Sequence, residues 1–62
     1  MKEIAYHFRV LVEDLDGKLT VEPNIIHEAD SKIGSAIATG KVYRLYEQLK
    51  TDSKIKDYRI LV

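Results

Sequence analysis

The chain has 62 residues, 45% of them hydrophobic and 32% charged, with ten basic and ten acidic side chains and no cysteine. So short a chain forms one small domain that buries only about 60% of the surface its unfolded form exposes. Without thiolates it holds no disulfide and no cysteine-based zinc or iron–sulfur site, and its zero net charge is unlike the strongly basic footprint usual in nucleic-acid-binding domains.

Residues 1–62 are read as a single α+β domain. The first segment is the clearest. Ile4, Tyr6, Phe8, Val10 and Val12 alternate with mostly polar residues, which predicts a strand with one buried face. Asp14-Leu15-Asp16-Gly17 follows and predicts a tight hairpin turn, because Asp-Gly supplies the positive φ such turns require. If Asp16 and Gly17 form a two-residue loop, Val12 faces Val21 and Asp14 faces Leu19. The apolar sides of the two strands then coincide. Pro23 cannot donate to a ladder, so the second strand is expected at an edge of the sheet or to stop there.

Residues 24–30 are open between a continued strand and a loop. Asp30 or Ser31 is a candidate N-cap for a helix over residues 31–50. Ala38, Val42, Leu45, Tyr46 and Leu49 make one apolar stripe at helical spacing. Ile33, Ala36 and Ile37 fall on the opposite side of the same helical wheel. One sheet cannot cover both sides. The segment therefore bends near Gly40, leaves residues 31–38 non-helical, or meets a second surface. After a break at residues 51–54, Tyr58, Ile60 and Val62 alternate as a third strand.

The order strand–strand–helix–strand predicts a three-stranded antiparallel sheet in spatial order 2-1-3. One helix packs on the face bearing Tyr6, Phe8, Val10, Val12, Leu19, Val21, Tyr58 and Ile60. The open face then carries Ala5, His7, Arg9, Leu11, Lys18, Thr20, Glu22, Arg59 and Leu61. The third strand is expected to present an edge open to strand pairing.

Motifs for chemistry are weak. Asp14-Leu15-Asp16-Gly17 begins like a calcium loop, but that loop needs glycine at its sixth position, not its fourth. Residues 35–42 faintly resemble a phosphate-binding loop. Ser35 stands where its first glycine belongs, and Val42 where a hydroxyl must hold magnesium. The small residues between Gly34 and Gly40 are better read sterically, as room for close backbone approach. His7 and His27, the only histidines, have no nucleophile or carboxylate pair at working spacing. The expectation is a non-catalytic chain with no metal and no cofactor.

Charge divides along the sequence. Residues 1–30 carry seven acids against three bases, and residues 31–62 the reverse. Such a lopsided distribution favours association with a complementary surface. Apolar side chains left over on the helix mark a protein contact, and a small unstapled domain gains from oligomerisation. The leading expectation is a protein–protein interaction module, a small regulator or accessory subunit, that pairs with itself as a homodimer or with another protein through Ile33, Ile37, Tyr43 and Tyr46. The alternative is a nucleic-acid-binding accessory protein that sets Lys41, Arg44, Lys50 and Arg59 against phosphates. No apolar run is long enough to span a membrane. With no export signal in the opening residues, a cytoplasmic location is the default expectation.

Overall fold

A computed structural model describes residues 2–61. Strands β1 (Glu3–Glu13) and β2 (Leu19–Ala29) form a long hairpin, helix α1 (Lys32–Thr51) follows, and β3 (Asp57–Leu61) closes the sheet. The sheet is antiparallel in the order β2-β1-β3 with the helix on one face, as the element pattern predicts. Val62, expected to extend the alternation of the third strand, lies outside the described residues. Residues 24–29 continue β2, and Pro23 sits within it opposite Arg9. The edge position of β2 accommodates a residue that has no N–H to donate.

The hairpin register corrects the expected one. Val12 stands opposite Thr20 and Leu11 opposite Val21, a slip of one residue. Asp14 and Lys18 close the turn through backbone bonds, with Leu15, Asp16 and Gly17 between them. The Asp14 carboxylate accepts from the backbone N–H groups of Asp16 and Lys18, both at 2.9 Å. Only Gly17 in this loop has positive φ, at 85°. A two-residue type I′ turn needs positive φ at both central residues. A type I turn followed by a left-handed glycine needs it once, and that is the turn formed here.

A one-residue slip moves a whole set of side chains to the other face. The expected inward residues Leu19 and Val21 therefore lie away from the helix. Thr20, Glu22, Asn24, Ile26 and Glu28 take their place beneath it, in register with Val12, Val10, Phe8, Tyr6 and Ile4.

The helix is continuous from Lys32 to Thr51. Ser31 caps it, its hydroxyl accepting from the Gly34 N–H at 3.0 Å. At the other end the N–H of Lys54 bonds the Leu49 carbonyl and that of Ser53 the Lys50 carbonyl. This is a Schellman motif with Ser53 in the left-handed position, φ 57°. The buried helical residues are Gly34, Ala38, Val42 and Tyr46. Each step of four residues advances about 40° around the axis, so the buried line winds around the helix. Leu45, expected in the core stripe, is left about half exposed. Gly34 is pressed so tightly on the end of β2 that a Cβ there would lie 1.8 Å from the Ala29 carbonyl oxygen. Gly40 has open space around it, so the steric reading applies to the first glycine and not to the second.

The core is small. Val10, Val12, Val42 and Tyr46 are buried together, with Phe8, Ile26, Leu49, Ile55, Tyr58 and Ile60 partly buried around them. The molecule measures 43 × 19 × 13 Å with a radius of gyration of 12.7 Å. A compact chain of this length has a radius near 11 Å.

Candidate interaction surfaces

Among the described residues, the helix lies on one face of the sheet and no element covers the other. Pairing places Leu19, Glu13 and Asp57 in one row across that bare face, and Val21, Leu11 and Arg59 in the next. Pro23, Arg9 and Leu61 form a third row, followed by Ile25 beside His7. Leu19, Val21 and Ile25 are 60%, 51% and 56% exposed. Three large apolar side chains of one strand thus meet solvent in a continuous line, with Leu11 beside them on the central strand.

The polarity of β2 is inverted with respect to its one covering layer. The residues on its helix side include Thr20, Glu22, Asn24 and Glu28, and polar groups of the helix reach the last three. The Tyr46 hydroxyl accepts from Asn24 Nδ2 at 2.7 Å and donates to Glu22 Oε1 at 2.8 Å. Burial and the Glu22 carboxylate raise the Tyr46 hydroxyl above its ordinary pKa against the opposite pull of Asn24, burial being the largest cause. Lys41 pairs with Glu28. Tyr46 thus gives both Asn24 and Glu22 a partner, and among the described residues no buried side-chain nitrogen or oxygen lacks one.

The residues expected at a protein contact are separated by the fold. Ile33, 73% exposed, and Ile37 lie one turn apart on the outer side of α1. Tyr43 is about half exposed and packs edge-on against Tyr58 with ring centroids 6.2 Å apart. Tyr46 is 3% exposed and belongs to the core, which corrects its assignment to a contact surface. Its position on the winding buried line is the reason.

The basic set is likewise dispersed. Lys41 reaches β2 through Glu28, and Lys50 reaches β3 through Asp57 at 3.3 Å, on the opposite edge of the sheet. Arg44 is exposed on the helix, and Arg59 shares the bare sheet face with Leu11. Lys50 and Arg59 line one recess beside β3, whereas Lys41 lies by β2, so the four form no single patch. Leu19, Val21 and Ile25 were absent from the expected surface. The signal that finds them is Asp14 at the first and Gly17 at the fourth position of a type I turn, which sets the register that turns them outward.

Two shallow recesses border β3. One, about 190 Å³, is lined by Leu11, Glu13, Leu19, Asp57, Tyr58 and Arg59 at the hairpin end of the bare face. The other lies between α1 and β3 and contains Tyr43, Glu47, Lys50 and Asp57. Arg59 also lines it, and Lys50 there pairs with Asp57. Tyr58 donates to Glu47 at 2.7 Å, and that hydrogen bond, with burial, pushes the Tyr58 hydroxyl up to about 12. The backbone N–H of Tyr58 and the Lys50 ammonium hold Asp57 below the usual carboxylate value. At neutral pH these groups tie the helix to β3 as fixed donors and acceptors.

Strand pairing brings His7 and His27 to diagonal positions on the bare face, where the sequence holds them twenty residues apart. Among the described residues no three His, Cys, Asp or Glu side chains are placed to hold a metal ion, and no helix is long and apolar enough to cross a membrane. Comparison of the chain with protein-family models, curated proteins and solved structures finds no match.

Proposed function

We propose that the chain is a non-catalytic protein-interaction module whose docking surface is the bare face of the sheet. One observation carries this reading. Among the described residues, β2 turns Leu19, Val21 and Ile25 away from the one layer that covers the sheet, while Glu22, Asn24, Ile26 and Glu28 lie on the helix side. Apolar side chains gain about 25 cal/mol for each Å² removed from water, and contiguous exposed patches of them mark contact sites. The outer isoleucines of the helix, Ile33 and Ile37, form a smaller second patch and are secondary to it.

Size supports the same reading. The described molecule exposes 4734 Å², where a compact folded chain of this length exposes about 4,100 Å². A covering partner would bring the structure closer to the usual balance of buried and exposed surface.

The test combines sedimentation over a wide concentration range with binding of a hydrophobic dye to the folded chain at the lowest concentration. A docking face produces self-association, dye binding, or both, and Val21→Lys with Ile25→Lys suppresses whichever occurs. The folded monomer survives these changes because both side chains already face solvent. A chain that neither associates nor binds dye overturns the reading.

A further inference from the structure

The chain has three arginines, and two of them, Arg9 and Arg59, stand on the bare face of the sheet. Both are exposed, and no ion pair among the described residues includes either. The acids nearest to them are already engaged. Glu13 faces Lys56 at 3.7 Å, and Asp57 takes the Lys50 ammonium at 3.3 Å. Glu47, in the recess that Arg59 borders, accepts from Tyr58 at 2.7 Å. Glu3 lies three rows away from Arg9, at the far end of the face.

The two arginines stand in line with an exposed apolar side chain. Each step from Arg59 to Arg9 to Ile25 crosses to the next strand and moves one row along, since Arg59 pairs with Leu11, Arg9 with Pro23 and His7 with Ile25. Diagonal neighbours of this kind lie about 7–8 Å apart, close to the ~6.8 Å between alternate residues of an extended chain. We infer that the bare face takes an acidic segment of a different protein. That segment is an extended stretch with carboxylates at two alternate positions and an apolar side chain at the third, crossing from Arg59 over Arg9 to Ile25.

Charge decides the kind of partner. A purely apolar surface laid on this face would cover both arginines without pairing them, which is costly. The acids that a second copy would bring to this end of the face are the same lysine-held Glu13 and Asp57. Guanidinium groups suit an acidic partner, because they hold a carboxylate by two parallel hydrogen bonds and are more weakly hydrated than an ammonium. Phosphates of a nucleic acid would meet the arginines as well. The face offers their bases no tyrosine or phenylalanine to stack on, and Val21 and Ile25 would gain no apolar contact.

The acidic partner rests on the docking reading above, and the two fail separately. The probe is a capped seven-residue peptide with glutamate at its second and fourth positions, leucine at its sixth and threonine elsewhere. Two control peptides replace both glutamates by lysine, or the leucine by serine. Binding is read from the backbone amide shifts of the isotope-labelled chain, which also report that each variant keeps its fold. The acidic peptide should move Arg9, Leu11, Ile25 and Arg59 and leave Ile33 and Ile37 in place. Its dissociation constant should lie at least about fivefold below that of either control. Arg9→Gln with Arg59→Gln should bring the acidic and lysine peptides to within about twofold of each other.

An acidic peptide that binds no better than the lysine peptide, or that moves the helix instead, overturns the acidic partner. Dye binding that Val21→Lys with Ile25→Lys suppresses would still uphold the docking reading. Equal binding of the acidic peptide and its serine control reduces the contact to general charge attraction and overturns the inference as well. A twelve-nucleotide oligothymidylate that binds more tightly than the acidic peptide, undiminished in Val21→Ser with Ile25→Ser, assigns the arginines to phosphates instead.

Discussion

At the scale of single residues, three backbone positions set how tightly this fold is held. Gly34 lets the first turn of α1 lie against Ala29, where any Cβ meets backbone rather than a movable side chain. Gly34→Ala should therefore destabilise the chain by about 2 kcal/mol or more, as overpacking does when nothing can yield. Gly40→Ala should do the opposite, gaining up to about 1 kcal/mol, because a methyl there meets open space and alanine is the better helix former. Ser53 holds a left-handed conformation that costs an L-residue about 1–2 kcal/mol. Ser53→Gly should recover about 1 kcal/mol of that. Denaturant unfolding of the three variants checks all of these signs together, and a stabilising Gly34→Ala would contradict the close approach.

At the scale of elements, the helix is joined to β3 by a polar cluster rather than by a deep core. Tyr58 donates to Glu47 and Lys50 meets Asp57, while the Tyr43 and Tyr46 rings pack on Tyr58. Tyr58 titrates at about 12 in the folded chain, against about 10 when unfolded. A folded value above the unfolded one favours the protonated form in the native state. The stabilisation is therefore complete below about pH 10 and is lost as the pH climbs through about 12. Near-ultraviolet titration should show a tyrosine step near pH 12, and Tyr58→Phe should remove it. Stability of Tyr58→Phe should also fall less over the same window. Asp57 acts at the other end of the scale. Its lowered pKa contributes above the unfolded carboxylate value and is lost as acid protonates it.

At the scale of the whole molecule, a sheet covered on one side only is an incomplete sandwich. Few residues are fully buried, and the long axis is more than three times the shortest dimension. Domains of this size rarely draw more than about 3–5 kcal/mol from a single core. If a second copy supplies the missing layer, folding and association are one equilibrium and the thermal midpoint should rise with protein concentration. A midpoint constant over a hundredfold range of concentration, with salt held fixed, would mean that the monomer carries its full stability alone.

Much of the architecture could be read from the chain. Alternation in Ile4–Val12 and in Tyr58–Ile60 needed only the two-residue repeat of a strand; Asp30 or Ser31 offered the start of the helix, and the loss of the apolar pattern after Lys50 its end. The sheet order followed from placing the longest apolar strand in the middle. The surface was less legible, for two reasons that act over a distance. Asp14 chose between two possible turns of this sequence, and that choice decided which side of β2 faces the helix, taking Leu19 and Val21 out of the expected core and setting Ile25 beside them in solvent. The winding of the buried line on α1 then drew Tyr46 inward and left Leu45 half exposed. Local spacing specifies what each segment becomes. Which of its sides meets water is set by register and crossing geometry, and these exist only once the segments pack.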